Sequence, residues 1–381
     1  MLAGLASMTG GFATSAGTAR YRERFRVLRD GGFFRQLQNI PGAEGLWISS
    51  LGVGTYLGEP TAEADAAYTA AISQALRSGI NLIDSAINYR HQRSERNIGA
   101  ALEQAIVEGE VQRDEVVICT KAGFITFDGD VPPDPQTYFI ENYINRGILR
   151  PGEVAGGMHA IAPKYLEDQL ERSRRNLKLE TIDVFYVHNP ESQLAAGVDR
   201  SEFRKRLREA FATLERAVEA AKIRFYGCAT WNAFRVAPQQ RDYMSLEEVA
   251  VIAHEVGGDG HHCRFVQLPF NLAMPEAFTN PNQPWQGEML SLFEAAKRAG
   301  IAVIGSATLY QARLTQNLPE KIRKKLGSSS DLEAAIQFTR SAPGSTASLI
   351  GMSKTEHVAA NLEAASKPMV SEQDWLRLFQ E

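Results

Sequence analysis

From about Leu46 onward, short apolar runs alternate with longer stretches of helical periodicity. The apolar runs are LGVG (51–54), NLID (81–84), EVVICT (115–120), IDVFYV (182–187), IRFYGCA (223–229), RFVQLPF (264–270), IAVIGSA (301–307) and ASLIGM (347–352). They are rich in Val, Ile and Phe, and most do not alternate between apolar and polar positions. A strand with one wet face alternates, whereas a strand covered on both faces does not. The runs therefore predict parallel strands buried on both sides. Between them lie ADAAYTAAISQALRSG, SERNIGAALEQAIVEG, PKYLEDQLERSRRNL, EFRKRLREAFATLERAVEAA and EMLSLFEAAKRAG, which read as helices. Gly79, Gly109 and Gly300 stand where three of these patterns stop, as expected of a residue that enters the left-handed conformation without penalty. Eight strands alternating with helices predict a closed (β/α)8 TIM barrel. An open doubly wound sheet is the competing architecture, but no GxGxxG opens a helix, so its dinucleotide-binding fingerprint is missing.

Ahead of the barrel, FFRQLQNIPGAEGLWIS (33–49) reads as two short strands joined by a turn, suited to plugging the barrel bottom. Residues 1–32 are expected to form a mobile tail and residues 33–381 the barrel. The first twenty residues are rich in Gly, Ala, Ser and Thr and lack the charged and apolar regions of a secretory signal. The stretch 122–162 is long, irregular and rich in Pro, Gly and aromatic residues. It follows the third strand, which puts it at the C-terminal face, where barrel enzymes carry their chemistry.

Composition narrows the partners. Lys and Arg total 41 against 45 Asp and Glu, a net charge of −4, so nucleic acid and anionic membranes are not expected as partners. No apolar run approaches the ~20 residues that span a bilayer. The basic run KIRKKL (321–326) reads as a solvated helix face. Cys119, Cys228 and Cys263 are too few and scattered for a disulfide framework, which points to a reducing, cytoplasmic setting. Two of them lie in strand-like runs, where cysteine is a small buried hydrophobe.

Four polar residues fall at or just beyond strand ends facing one mouth. Asp84 ends the second strand, Tyr89 lies five residues on, Lys121 ends the third strand and His188 the fourth. Singly, each has an ordinary reading: a cap, a half-buried aromatic, a surface lysine, a satisfied core histidine. Together they suit carbonyl reduction, which needs a hydride from one side and a proton for the developing alkoxide. A phenol with a pKa near 10 is a weak acid at neutral pH. An ammonium at Lys121 would favour its phenolate, Asp84 would hold that ammonium, and a neutral His188 could donate a hydrogen bond to the substrate oxygen.

The segments LWISSLGVGTYLG, NLIDSAINYRHQRSERNIGAAL, VVICTKAG and IDVFYVHNP resemble the aldo-keto reductase superfamily, over roughly residues 33–365. The Asp84-x-Ala86-x-x-Tyr89 spacing followed by Ser94-Glu95 carries most of the likeness. The resemblance implies a catalytic tetrad of Asp84, Tyr89, Lys121 and His188, with Tyr89 as proton donor. It implies a nicotinamide cofactor across the barrel mouth, touching Gly54, Thr55, Tyr56 and Gln267. The family's usual Ser-Asn pair after the fifth strand is here Ala229-Thr230, so Thr230 or Asn232 would substitute for it, and the aromatic after the seventh strand is Ser306. In GMSKTEHVAANLEAA, Ser353 and Glu356 read as a capping box at a helix N-terminus, which attracts anions. The resemblance brings the adenosine ribose and its 2′-phosphate there, near Ser353, Lys354, His357 and Asn361, with His357 where the family often has arginine. NADP(H) is expected over NAD(H). Phe124, Phe127 and Trp231 are expected to shape a pocket for a small carbonyl compound.

HEVGGDGHHC gathers His254, His261, His262 and Cys263, but its spacing fits no zinc motif and it precedes the sixth strand, away from the mouth. It reads as a turn, and no metal is expected. A metal-dependent barrel hydrolase thus lacks a ligand set. The remaining alternative is a cofactor-sensing regulatory subunit of the same fold with little turnover.

Overall fold

The structure, a computed structural model, describes residues 8–380. It opens with α1 (Ser15–Arg24) and α2 (Arg26–Asp30), followed by the antiparallel pair β1 (Phe34–Gln36) and β2 (Trp47–Ser49). The barrel then runs β3 (Leu51–Gly54), α3 (Ala62–Arg77), β4 (Leu82–Asp84), α4 (Arg93–Val107) and β5 (Val117–Ala122). After α5 (Pro135–Phe139) and α6 (Pro163–Leu177) come β6 (Ile182–His188), α7 (Glu191–Ala195), α8 (Arg200–Glu219), β7 (Ile223–Ala229), α9 (Leu246–Gly257) and β8 (Cys263–Pro269). A short excursion of α10 (Glu276–Thr279), β9 (Gln283–Trp285) and β10 (Glu288–Leu290) leads into α11 (Leu292–Ala299) and β11 (Ala302–Ser306). The last elements are α12 (Glu320–Lys325), α13 (Asp331–Arg340), β12 (Ser345–Gly351), α14 (Thr355–Ser366) and α15 (Glu372–Leu376).

β3, β4, β5, β6, β7, β8, β11 and β12 close into one parallel barrel, as the apolar runs predict. In β6, Val184 and Tyr186 join the barrel interior, while Phe185 and Val187 pack outward against the helical shell. All seven residues of the strand are buried, which is why its sequence shows no alternation. Inside, Leu82, Val184, Phe225, Phe265, Ile304 and Leu349 meet Leu37, Ile40, Leu46 and Ile48 of the plug. The β7–β8 register shifts at Tyr226/Gly227, and a Cβ at Gly227 would lie 1.7 Å from the Phe265 carbonyl oxygen, so only glycine fits there.

Three expectations change. Residues 8–32, expected as a mobile tail, instead pack on the barrel; the tail's first seven residues lie outside the described ones. Thr14 caps α1, the Ala13 N–H donates to Asp183 Oδ1 at 2.7 Å, and Tyr21 Oη donates to the Leu76 carbonyl at 2.6 Å from full burial. Arg20 and Arg24 both reach the buried Glu115. The segment docks through polar contacts and one aromatic ring, and a composition rich in small residues does not reveal such anchors. Second, the helix expected across 288–300 begins only at Leu292. Gln286 and Gly287, at φ +50° and +86°, turn β9 back into β10, and Ser291 with Glu294 forms the capping box that starts α11. Third, α14 is capped at Lys354, with no side chain accepting from its first turn, so Ser353 and Glu356 do not form a capping box.

Gly79, Gly109 and Gly300 all have positive φ, KIRKKL falls on α12, and all three cysteines are free and buried. HEVGGDGHHC ends α9 and turns into β8, with His262 against Glu215. Among the described residues, no helix is long and apolar enough to cross a membrane, and no three metal-binding side chains gather.

Candidate active site

Parallel registry aligns the C-terminal ends of the barrel strands, pairing Gly54 with Asp84, Asp84 with Cys119 and Lys121 with Tyr186. Asp84, Lys121 and His188 therefore rise to one rim. Tyr89 reaches it from the turn after β4, in which Arg90, His91 and Gln92 all adopt positive φ. Such backbone is costly for non-glycine residues and persists where the surroundings fix it. Here the buried Arg90 guanidinium binds Asp65 at 2.6 Å and Asn97 at 2.8 Å, and Gln92 donates to the Phe127 carbonyl at 2.9 Å.

Lys121 Nζ is the hub. It donates to Asp84 Oδ1 at 2.5 Å and to the Ser85 carbonyl at 2.6 Å, lies 3.4 Å from Tyr89 Oη, and sits 4.8 Å from the centre of the Tyr89 ring. Burial alone would lower the Lys121 pKa, but Asp84 and Tyr89 outweigh it and hold the ammonium charged above its ordinary range. Burial pushes the Tyr89 phenol above its usual value, against the pull of Lys121. The His188 ring packs edge-on to Tyr89 at 5.7 Å; burial, and then the neighbouring Lys121, hold its pKa well below normal, so the imidazole is neutral.

The other expected residues divide. Gln267 Nε2 donates to Asp84 Oδ2 at 2.8 Å, so Gln267 braces the tetrad from β8. Thr55 is buried and bonds Ser85 Oγ at 3.0 Å, while Gly54 and the exposed Tyr56 stand at the rim, Tyr56 edge-on to Tyr89 at 5.0 Å. The Thr230 N–H donates to the Gln267 carbonyl at 2.8 Å, and Ser306 ends β11. The Asn232 side chain is engaged by Asp242 at 3.0 Å. Ser353, Lys354 and His357 surround the uncapped start of α14, with Asn361 buried on its next turn. Phe124 packs edge-on to His188 at 5.1 Å, and Trp231 is half exposed. Phe127 packs instead on His91 and Tyr138.

Two residues at this mouth escaped the sequence reading. His159, deep in the 122–162 segment, places Nε2 2.7 Å from the His188 carbonyl oxygen and Nδ1 2.8 Å from Gln193 Nε2. Gln193 Oε1 accepts from Arg206, which leaves its Nε2 as a donor, so His159 accepts at Nδ1 and donates at Nε2. A Cβ at Gly123 would lie 2.3 Å from that same carbonyl oxygen, so glycine permits this approach. Glu191 is buried, and its Oε1 accepts the N–H groups of Trp231 at 2.6 Å and Asn232 at 3.1 Å; burial pushes its pKa up to about 7. Its position three residues past His188 was the available signal. Nothing in the sequence marks His159.

A family model described as the aldo/keto reductase family matches residues 50–256. Prostaglandin-E(2) 9-reductase of Oryctolagus cuniculus is 24% identical over 198 residues, 52% of this chain and 46% of that protein. Prostaglandin F synthase 2 of Bos taurus is 23% identical over 155 residues, 41% of this chain and 36% of that protein. The chain thus spans less than half the length of these curated relatives. Among solved structures, an aldo/keto reductase from Klebsiella pneumoniae in complex with NADP and acetate has a TM-score of 0.59 at 17% identity, covering 90% of this chain and 94% of that one. The glycerol dehydrogenase of Gluconobacter oxydans has a TM-score of 0.61 at 18% identity, covering 91% and 94%. These two share the fold.

Proposed function

The chain belongs to the aldo/keto reductase family, and on that premise we propose that it reduces an aldehyde or ketone of modest size to the alcohol, with Tyr89 as the proton donor. The observation that carries the reading is the Lys121 ammonium held between Asp84 and Tyr89 beside a neutral His188. A nicotinamide cofactor, when bound, supplies the hydride. Tyr89 Oη holds the proton that the developing alkoxide takes up. Lys121 stabilises the phenolate left behind, and Asp84, braced by Gln267, keeps the ammonium in place. His188, as a neutral imidazole, donates a hydrogen bond that orients the carbonyl oxygen, and Phe124 and Trp231 limit water and substrate size.

The donor set suits a phosphate-bearing dinucleotide. The first turn of α14 has no side-chain cap, so its N–H groups are available beside Ser353, the exposed Lys354 and His357. These residues would hold a 2′-phosphate, with Gly54, Thr55, Tyr56, Thr230 and Ser306 along the rest of the cofactor. NADP(H) is therefore favoured over NAD(H), and the Klebsiella relative in complex with NADP agrees with that choice. Lacking an arginine there, the site should prefer NADPH modestly rather than strongly.

Tyr89→Phe tests the reading. Turnover of NADPH and NADH with a panel of aldehydes should fall by ~10²–10⁴ or more, while cofactor affinity, read by fluorescence titration, stays near the parent value. A variant that keeps most of its kcat means another acid. A parent that binds cofactor but oxidises none above background would instead be the regulatory subunit.

A further inference from the structure

At the end of the barrel opposite Tyr89, two guanidinium groups, one fully buried and one half-buried, have no counter-ion among the described residues. Arg340, at the end of α13, is fully buried. Its Nε donates to Ser50 Oγ at 3.2 Å and its Nη1 to the Lys367 carbonyl at 2.9 Å, but its buried Nη2 has no partner. Arg35, in β1 of the plug, donates from Nη2 to the Arg340 carbonyl and to Met369 Sδ at 3.3 Å, and its buried Nε has no partner among the described residues. Among the described residues no carboxylate acts on either group; for Arg340 the second influence after burial is the like charge of Arg35. Burial lowers Arg35 to about 10 and Arg340 to about 9, so both remain cations near neutral pH. Buried charges are ordinarily paired, because an unpaired one gives up its hydration for nothing.

Arg35 also lines a cleft of about 510 Å³ between the plug, the entry ends of β11 and β12, and the segment before α15. The same walls carry Gln38, Lys297, Ser345 and Thr346, all able to donate hydrogen bonds. Lys297 is exposed and forms no salt bridge among the described residues. Glu372 is the one acid in the lining, and it too forms no salt bridge among the described residues. We propose that this cleft is an anion site, which takes a small oxyanion, phosphate or carboxylate, between Arg35 and Lys297. With Nη2 spent on the Arg340 carbonyl and Met369 Sδ and Nε buried, Nη1 is the Arg35 donor left for such a group, and the neighbouring Arg340 adds positive potential. The site lies at the N-terminal ends of the strands and shares no residue with the proposed reduction.

Thermal unfolding of the full chain, in inorganic phosphate against chloride of equal ionic strength, tests this. Phosphate should raise the midpoint by roughly 2 °C at about ten times its Kd, and further as its concentration rises. A parallel series in malonate separates carboxylate from phosphate, the larger rise naming the group. Lys297→Glu, a reversal at an exposed position, should abolish the rise, and Arg35→Gln should do the same. Lys354→Ala, at the other end of the barrel, should keep it, which separates this site from anion binding at the mouth. Glu372→Gln should enlarge the rise. The proposal is overturned if neither anion shifts the midpoint beyond chloride, or if Lys297→Glu keeps the full rise. It is equally overturned if Glu372→Gln lowers the midpoint in chloride and leaves no anion effect, since Glu372 would then be the missing counter-ion.

Discussion

At the scale of single residues, the proposed chemistry depends on opposing influences on Tyr89. Burial raises its pKa and Lys121 lowers it, so losing the ammonium leaves burial unopposed. Lys121→Met should therefore lower kcat and move the acidic-group transition of the pH–rate profile upward; an unchanged profile would show that Lys121 does not tune the acid. His159 gives a second prediction. Burial lowers its pKa to about 4 in the folded protein, against an ordinary histidine value when unfolded. The unfolded chain thus binds the extra proton first as pH falls. The stability is complete above the unfolded pKa and is lost as pH falls toward the folded one. Between pH 7 and pH 5 the loss from this one site is about 2 kcal/mol. His159→Gln removes that share, so urea unfolding should show the parent losing more stability than the variant over this interval. Equal losses would mean that His159 is not buried neutral.

At the scale of elements, the mouth is assembled by ties between the segments that follow successive strands. His159 fastens the 122–162 segment to the end of β6, and Glu191, just beyond β6, fastens the turn that follows β7. That turn carries Thr230 and Trp231, so its anchoring bears directly on the proposed cofactor grip. Charge-assisted bonds to a buried carboxylate are strong, and removing the acceptor leaves two backbone donors unsatisfied. Glu191→Ala should weaken cofactor binding roughly tenfold, with a much smaller change in kcat at saturating cofactor. Cofactor titration alongside steady-state kinetics would check this, and unchanged affinity would remove Glu191 from the argument. Element prediction fails where such local chemistry intervenes. The apolar pattern of 288–300 runs from the short strand β10 straight into α11, and the Ser291–Glu294 box, which does mark the true helix start, lay inside it.

At the scale of the whole molecule, the N-terminal segment acts as a clamp across the lower barrel. Tyr21 is buried against α3, and Arg20 and Arg24 converge on Glu115 beneath β5. Removing a large buried ring typically costs ~3–5 kcal/mol, so Tyr21→Ala should lower the urea midpoint accordingly. A mobile tail would leave the midpoint unmoved.

The sequence by itself determined the barrel and most of its site. Apolar runs without alternation announce strands buried on both faces, and their alternation with helices leaves few ways to close a sheet. Strand ends then line up by parallel registry, so Asp84, Lys121 and His188 could be assigned to one mouth from their positions alone. What only the tertiary structure decided are the contacts between residues distant in the chain. Gln267 reaches Asp84 across 183 positions, Ala13 reaches Asp183 across 170, and Arg35 reaches Arg340 across 305. None of these leaves a local signature, because hydrophobic periodicity reports which face of an element is buried and not which polar partner meets it there.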